Sequence, residues 1–372
     1  MTEHSHALVI GKFYPPHRGH DLLIRRAASI AARTTVVVMT SAAESIGLDD
    51  RVSWVRAEHV SDLSVVVVGV RCDAPVDLGD EQVWAAQVAV MRAAARSVTE
   101  QPVDVVVTSE AYGAGLADRL GAAHVTVPRT TDGLSASRVR HDLAGHWDDL
   151  APATRAGLAV RVVVVGAAST DSTMLASLLA EHYRARGGVW QRGVVVGDYG
   201  RDYTSDLRAR RGAGATDADL GWRAADFDLI ATEQTRRENA AAADGSPLLI
   251  CDTDAFATSV WERRYLGSLA RAAQPWSLPP LLPRHDVYLL TDHHDVACGG
   301  HGLSAGDLEV REQMTGWFED ALTVARHSWV LLNGTAADRL ALAVRTVDPL
   351  LARRLTFAAP KTGPGFGPTE VL

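Results

Sequence analysis

The amino-acid sequence predicts an α/β protein made of two doubly wound parallel sheets, each covered by helices. Three observations support this fold class. The 372 residues exceed what one ordinary hydrophobic core supports. Short valine-rich runs alternate with longer amphipathic segments, which is typical of strands buried on both faces and of the helices that cover them. The alternation then starts again near residue 159, so the whole pattern occurs twice.

Five β-branched runs predict the strands of the first sheet. Between them, segments 19–32 and 81–97 carry apolar residues at helical spacing and few helix breakers, so we expect them to be covering helices. The runs are ALVIG at 7–11, TTVVVMT at 34–40, SVVVVGV at 64–70, VDVVVTS at 103–109 and HVTV at 124–127.

A second set of runs predicts the second sheet: AVRVVVVG at 159–166, GVVVG at 193–197, PLLICD at 247–252, DVYLL at 286–290 and WVLLN at 329–333. A short, proline-interrupted segment at 145–157 separates the two sets and predicts a boundary near Leu150. We therefore expect a first domain over residues 1–150 and a second over 151–355. The segment 356–372 becomes rich in proline and glycine and predicts a flexible tail.

Charge and cysteine content exclude several classes of protein. The net charge of −8 and the isoelectric point near 5.9 disfavour a large basic surface for nucleic acid, although a small phosphate pocket is compatible with them. Three widely spaced cysteines fit reduced thiols better than a disulfide framework. No apolar run approaches the ~20 residues of a membrane span. We expect a soluble, cytoplasmic protein without nucleic-acid or membrane partners; a homo-oligomer is compatible with the sequence, which does not reveal the oligomeric state.

The stretch GKFYPPHRGH at 11–20 predicts an anion site. Gly11 ends the first strand, two prolines fix the loop, and Gly19 permits a tight turn before a helix that starts near His20. A helix N-terminus at the carboxyl end of a strand offers free amides and a positive dipole end to phosphate. His17 and His20 can add side-chain donors for the same anion. The alternative interpretation is two surface histidines in a turn.

A companion motif follows the last strand of the first sheet. In TTDGLSASRVRHDL at 130–143, Ser135 and Ser137 stand at the start of a short helix, with Arg138 and Arg140 in its first turns. Hydroxyls, amides and a guanidinium fork there can bind a second group of phosphates. Two phosphate sites at opposite ends of one α/β sheet predict a nucleotidyltransferase.

These residues carry a resemblance to a known family. The pattern G-x-F-x-P-x-H-x-G-H, followed by S-x-x-x-x-R, resembles the signature of the HxGH nucleotidyltransferase superfamily, whose fold is Rossmann-like. GKFYPPHRGH, VVTSEAYG at 106–113 and the order of the two domains are similar to the NadR type, in which a nicotinamide-nucleotide adenylyltransferase precedes a P-loop, ribosylnicotinamide-kinase domain. Some members carry a helix-turn-helix domain in front; because the first strand begins at Ala7, we expect none here.

The resemblance implies a reaction and its residues. The 5′-phosphate of nicotinamide mononucleotide would attack the α-phosphorus of ATP, giving NAD and pyrophosphate, with Mg²⁺ bridging the phosphates. His17, His20 and Arg140 would be the catalytic residues. The implied ATP site comprises Gly11, Lys12, Phe13, His17, His20, Ser135, Ser137 and Arg140.

The mononucleotide site has weaker signals. Trp54 and Trp84 are candidates to stack on the cationic nicotinamide ring, because a pyridinium is attracted to an indole face. Arg51 could bind the mononucleotide phosphate. Core packing for the two tryptophans and a solvated position for Arg51 are the alternatives.

In the second half, GAASTDSTML at 166–175 has the context of a Walker A loop, GxxxxGK[ST], between a strand and a helix. Gly166 and Thr173 match the pattern. Asp171 and Ser172 replace its glycine and lysine, and Ser169 lies inside the loop. A carboxylate about 5 Å from a phosphate adds a repulsion of roughly 3 kcal/mol per charge pair at an effective dielectric constant of about 20. The expected lid reads HGLS at 301–304 and lacks the family's arginine, for which Arg311 is a substitute candidate.

Other parts of the kinase-like domain match the family. DYGRDY at 198–203 resembles its riboside-binding segment, with Asp198, Tyr199, Arg201 and Tyr203, and the resemblance assigns Asp252 or Asp254 as base or magnesium ligand. We therefore expect a second domain that can bind ribosylnicotinamide but phosphorylates it poorly or not at all. The alternatives are a bifunctional enzyme with an atypical loop, a non-catalytic nucleotide-sensing regulator, and a transferase with another phosphorylated acceptor.

Overall fold

The computed structural model describes residues 2–128, 133–212, 220–267, 284–294, 305–361 and 363, with the backbone alone at 305–307. The chain divides into two compact units. Unit 1 comprises Met1–Gly157 and Leu355–Leu372, and unit 2 comprises Leu158–Arg354. The boundary falls after Gly157, somewhat later than the expected position near Leu150, because the helix Pro152–Leu158 leads directly into the first strand of unit 2.

Unit 1 contains one parallel sheet in the order β3-β2-β1-β4-β5 within its described residues. The order reverses between β1 and β4, and this switch point is where doubly wound sheets bind ligands. Helices cover both faces. The elements are β1 (His4–Gly11), α1 (Arg18–Ile30), β2 (Ala31–Thr40), α2 (Leu48–Glu58), β3 (Val65–Arg71), α3 (Glu81–Arg96), β4 (Val105–Thr108), α4 (Gly113–Leu120), β5 (Ala123–Thr126), α5 (Ala136–His141) and α6 (Pro152–Leu158), with a 3₁₀ turn at Trp147–Asp149.

Unit 2 repeats this architecture, with the described strands in the parallel order β10-β9-β6-β8-β7. β6 lies at the centre of the sheet, and all seven of its residues are buried. The elements are β6 (Val160–Gly166), α7 (Ser172–Arg184), β7 (Val195–Val196), α8 (Tyr199–Arg211), α9 (Ala224–Asp244), β8 (Leu248–Asp252), α10 (Ala257–Leu266), β9 (Val287–Thr291), α11 (Ala305–Val324), β10 (Trp329–Leu332) and α12 (Ala336–Arg354), with a 3₁₀ turn at Gly188–Arg192.

The valine runs form the cores, which confirms the predicted fold class. In unit 1, alternate residues of β1 enter opposite layers: Ala7 and Val9 pack against α1, whereas Leu8 and Ile10 pack with residues of α3. In unit 2, Val160, Val162 and Val164 pack against α7 and α12. Both faces of each sheet are therefore apolar, as continuous runs rather than strict alternation predict.

The beginning of the expected flexible tail differs from the prediction. Residues 356–361 pack against the first segment of unit 1, where the ring of Phe357 meets that of Tyr14 and the Lys361 ammonium donates to Asp73. These contacts give the segment a packed position that its composition does not reveal. Among the described helices, none is both long and apolar enough to span a bilayer.

Candidate functional site

A cavity of about 560 Å³ opens at the carboxyl ends of β1 and β4, the switch point of the first sheet. Its volume is typical of small-ligand sites. The loop after β1, the start of α1 and the start of α5 contribute most of its polar groups. Seven of the eight predicted ATP-site residues line this cavity: Gly11, Lys12, Phe13, His17, His20, Ser135 and Arg140.

The two histidines cap the N-terminus of α1 together. The Nδ1 atom of His17 accepts a hydrogen bond from the amide of Gly19 at 3.2 Å, and the Nδ1 atom of His20 accepts one from the amide of His17 at 3.2 Å. Their ring centroids lie 3.9 Å apart. A Cβ atom at Gly19 would lie only 3.0 Å from the His17 ring, so the glycine between the histidines allows this arrangement.

Burial keeps both imidazoles neutral. Burial is the main reason why the pKa of His20 is lowered to about 3 and the pKa of His17 is lowered well below its usual 6.5. The nearby Arg140 guanidinium lowers both pKa values further. A neutral imidazole carries one proton, and here each Nδ1 already accepts a hydrogen bond. The proton of each ring is therefore on Nε2, so each histidine offers one N–H donor and carries no charge.

Arg140 supplies the positive charge of this cavity wall. Its guanidinium donates to the carbonyl of Tyr14 at 2.7 Å and to the hydroxyl of Ser137 at 3.0 Å, and it lies 5.2 Å from the centre of the Tyr14 ring. Ser137 therefore positions Arg140 and is not itself among the cavity-lining residues. Ser135 begins α5 and accepts from the amide of Arg138 at 3.3 Å.

Lys12 belongs to a buried ion cluster at the edge of the cavity. Its ammonium donates to one oxygen of Glu44 at 2.7 Å, and Arg51 donates to the other at 2.7 Å. Burial alone would raise the pKa of Glu44, but the hydrogen bond and charge of Lys12, together with Arg51, hold it below its usual value. The charge of Lys12 is therefore largely balanced by Glu44.

The three residues considered for the mononucleotide do not line this cavity. Arg51 is fully buried and also donates to the carbonyls of Lys12 and Ile46, so it is neither solvated nor placed for a ligand phosphate. Trp54 is buried with its indole against the backbone of Gly157. Trp84 is buried as well and donates its indole N–H to the carbonyl of Leu78 at 3.0 Å. Core packing explains both tryptophans.

The sequence analysis did not predict the cavity-lining residues that follow β4 and β5. Glu110 and Tyr112 follow β4, and Val127 and Pro128 follow β5. The motif VVTSEAYG pointed to this region, but only the carboxyl-end rule for parallel strands identifies which of its residues meet a ligand.

Unit 2 has its own cavity of about 760 Å³ at the carboxyl ends of β6 and β8. Eight residues predicted for the kinase-like site line it: Gly166, Ser169, Asp171, Ser172, Thr173, Asp198, Arg201 and Asp252. The loop before α7 contains two non-glycine residues in the left-handed region, Ser169 and Asp171, with φ of 57° and 62°. Asp171 occupies the N-cap position of α7 in this left-handed conformation, which favours glycine, and its carboxylate makes no cap hydrogen bond.

Thr173 and Asp252 are the oxygen donors that this fold offers to Mg²⁺. Here the Thr173 hydroxyl donates to Asp252 at 2.6 Å, and the Arg201 guanidinium lies 3.1 Å from that hydroxyl and 3.8 Å from the carboxylate. Burial raises the pKa values of Asp198 and Asp252. The residues fit a divalent cation poorly as they stand, because Arg201 already places a positive charge beside both donors.

Several predicted residues of unit 2 lie away from its cavity. Asp254 is fully buried and accepts from the Tyr288 hydroxyl at 2.6 Å, whereas Asp252 lines the cavity. Tyr199 and Tyr203 lie on α8 with their rings in contact and do not line the cavity, and the Tyr203 hydroxyl donates to Asp226 at 2.7 Å. Arg311 is buried and does not line the cavity. HGLS at 301–304 lies outside the described residues.

An aromatic wall of this cavity was also missed. Trp222 stacks on Tyr265 with ring centroids 4.9 Å apart, and Phe227 and Trp261 lie beside them. All four residues line the cavity. Trp261 and Tyr265 lie one turn apart on α10, Phe227 lies on α9 and Trp222 precedes α9, so no single sequence motif contains all four.

Comparison with known proteins agrees with this architecture. Residues 161–339 match the family model described as AAA domain. The trifunctional NAD biosynthesis/regulator protein NadR of Salmonella typhimurium (strain LT2) is 22% identical over 277 residues, which cover 70% of this chain and 63% of that relative. The chain thus spans less than two thirds of that protein.

Two solved structures are similar over nearly their whole length. A crystal structure of NadR in complex with NR has a TM-score of 0.61 at 18% identity and covers 94% of this chain and 96% of that one. A crystal structure of NadR with NAD and AMP-PNP has a TM-score of 0.60 at 18% identity, covering 94% and 97%. The chain described here is therefore similar to NadR in sequence and has the NadR fold.

Proposed function

We propose that unit 1 transfers the adenylyl group of ATP to nicotinamide mononucleotide, giving NAD and pyrophosphate. The observation that carries the proposal is the shared cavity of His17, His20, Ser135 and Arg140 at the switch point of the first sheet. The NadR likeness supports the choice of acceptor, since one solved NadR contains NAD and AMP-PNP.

The reaction needs positioned charge rather than a protein nucleophile. An oxygen of the mononucleotide 5′-phosphate attacks the α-phosphorus of ATP, which enters as its magnesium complex. The bond between that phosphorus and the oxygen bridging to the β-phosphorus breaks, and pyrophosphate leaves with the electron pair. Charge grows on the leaving group, where the Nε2–H donors of His17 and His20 and the guanidinium of Arg140 stabilise it.

Neutral histidines suit this task. Two imidazolium ions with ring centroids 3.9 Å apart beside Arg140 would repel one another when the site is empty. Two neutral donors keep the empty site stable and still bind the phosphates by hydrogen bonds. As negative charge enters the cavity it also raises the proton affinity of both rings, which strengthens the same contacts.

For unit 2, we propose that the domain binds ribosylnicotinamide and phosphorylates it poorly or not at all. Trp222 and Tyr265 provide an aromatic wall of the kind that attracts a cationic pyridinium ring. In contrast, the phosphate loop presents the Asp171 carboxylate where ATP phosphates would lie, and Ser172 provides no cation. Arg201 beside Thr173 and Asp252 weakens the magnesium site as well.

A paired assay on the same preparation tests both proposals. Nicotinamide mononucleotide with ATP should give NAD and pyrophosphate, whereas ribosylnicotinamide with ATP should give little mononucleotide and little NAD made from it. Absence of NAD formation, with both nucleotides bound, would favour a sensing role over catalysis. Formation of mononucleotide at a rate similar to NAD formation would contradict the proposal for unit 2.

A further inference from the structure

We propose that residues 356–361, which follow unit 2 in the sequence, complete the adenylyltransferase site of unit 1 by positioning Tyr14 and, through it, Arg140. This inference rests on the proposed function for its catalytic readout. We call these residues the strap. It contacts the rest of unit 1 through side chains and backbone alike.

Tyr14 is the residue that connects the strap with the cavity. It is fully buried, and its hydroxyl donates to the carbonyl of Ala358 at 3.0 Å. The same hydroxyl lies 2.6 Å from that of Ser45 and accepts from the Ser45 amide at 2.9 Å. The edge of the Phe357 ring meets the Tyr14 ring at a centroid distance of 5.6 Å and an interplanar angle of 87°.

Tyr14 also contacts the guanidinium of Arg140, the catalytic residue of the proposed reaction. The Tyr14 carbonyl accepts from Arg140 at 2.7 Å, and the guanidinium lies 5.2 Å from the ring centre. Arg51 lies 4.3 Å from the same ring. A displacement of Tyr14 therefore moves the carbonyl that accepts a hydrogen bond from Arg140. It also moves the aromatic ring that lies beside the Arg140 guanidinium.

The strap also fixes the loop between β2 and α2. The amide of Ala358 donates to the Ser45 hydroxyl at 3.3 Å, and the neighbouring Glu44 holds Lys12 and Arg51. At the far end, Lys361 donates to the carbonyl of Asp73 at 2.6 Å. These contacts anchor the strap on both sides of Tyr14, so it packs against the back of the phosphate site rather than entering the cavity.

The phosphates are the ligands affected, because Arg140 is the cavity-lining guanidinium that we propose to bind them. Small displacements of a positioning group cost large factors in rate, of order 10²-fold for about 1 Å. We expect Phe357→Ala to weaken ATP binding and lower kcat/KM for NAD formation by about 10- to 100-fold. Phe357→Tyr keeps the aromatic edge against Tyr14 and should stay near the wild type.

A double-mutant cycle in the full chain distinguishes positioning from a general structural role. Phe357→Ala is measured alone and together with Arg140→Ala, both as the Kd for ATP alone and as kcat/KM for NAD formation. If the strap acts through Arg140, Phe357→Ala costs little further in the Arg140→Ala background. Leu63→Ala, at a residue that is 95% exposed, is the surface control.

The outcomes separate the two proposals. A wild-type chain that binds ATP but forms no NAD contradicts the proposed reaction, and the cycle on the Kd still tests the strap. A Phe357→Ala chain with wild-type Kd and kcat/KM overturns the inference. So does an equal loss from Phe357→Ala whether Arg140 is present or absent, because the strap would then act on the fold and not through that residue.

Discussion

In each of the two cavity histidines, the two ring nitrogens have different roles. Nδ1 of His17 and of His20 closes the first turn of α1. We propose that the proton left on Nε2 of each ring is donated to a ligand. One substitution therefore removes both a helix cap and a ligand contact. Capping contributes about 1 kcal/mol and a transition-state donor about 3 kcal/mol, so activity should be more sensitive than folding.

We predict that His20→Ala lowers the rate of NAD formation by about 10²- to 10³-fold while the chain stays folded. The physical reason is the loss of one preorganised donor to the leaving pyrophosphate. Steady-state kinetics with saturating mononucleotide, beside circular dichroism for folding, measure it. The exposed His182 on α7 provides the matched control, since His182→Ala removes an imidazole outside the cavity. A His20→Ala chain with the wild-type rate would exclude His20 from the mechanism.

The depressed pKa of His20 also predicts how stability depends on pH. The folded value is about 3 and the ordinary value is 6.5, so the unfolded chain takes up more protons as the pH falls. The imidazole therefore has no effect above pH 6.5, and stability is lost as the pH falls from 6.5 toward 3. The loss from this residue reaches about 2 kcal/mol at pH 5.

Denaturant unfolding of the wild type and of His20→Gln at pH 7 and pH 5 measures this effect. The variant cannot titrate at that position, so its stability should fall less between the two pH values. Equal pH dependence of the two proteins would show that His20 already takes up its proton in the folded state.

At the scale of elements, the loop between β6 and α7 has a backbone that its neighbours hold in place and side chains that differ from the Walker A pattern. Gly166 cannot carry a side chain, because a Cβ atom there would lie 2.1 Å from the hydroxyl of Thr291. Arg339 donates to the carbonyl of Thr170 at 3.0 Å and holds the loop from the other side. The loop backbone is thus held by its neighbours, and we propose that Asp171 and Ser172 deprive it of the flexibility and the charge that phosphate needs.

Restoring the two residues should therefore restore nucleotide binding in unit 2. We predict that Asp171→Gly with Ser172→Lys tightens ATP binding there by at least about tenfold, since a repulsion of roughly 3 kcal/mol is removed and a cation is added. Glycine also suits the φ of 62° at position 171. Calorimetry with ATP measures binding, and ribosylnicotinamide with ATP measures phosphorylation. Asp171→Asn, which removes the charge alone, separates repulsion from the missing lysine. Unchanged ATP affinity in the double variant would contradict the account of this loop.

At the scale of the whole molecule, the sequence predicts what depends on local patterns. Valine runs identify both sheets because the central strands are buried on two faces, and HxGH identifies the start of α1 because strand, turn and helix are contiguous. Contacts between residues from distant segments of the chain cannot be predicted from such local patterns. Trp54 and Trp84 were considered for a ligand because they are aromatic, but both face the core. Trp222 and Tyr265 stack across two elements, and Phe357 reaches Tyr14 from the other end of the chain.

For the molecule as a whole we propose a functional asymmetry: both units contain a parallel sheet, but only the first binds triphosphate tightly. Unit 1 offers His17, His20 and Arg140 to the phosphates, whereas unit 2 offers them the carboxylate of Asp171. This difference is the central claim about the molecule, and it concerns the location of ATP rather than its presence.

The most direct test is a crystal structure of the full chain with a non-hydrolysable ATP analogue and Mg²⁺. We predict one well-occupied analogue in unit 1, with its phosphates within hydrogen-bond distance of Nε2 of His17, Nε2 of His20 and the guanidinium of Arg140, and no triphosphate on the loop that contains Asp171. An analogue bound to that loop with the cavity of unit 1 empty, or phosphates in unit 1 that avoid these three side chains, would contradict the account.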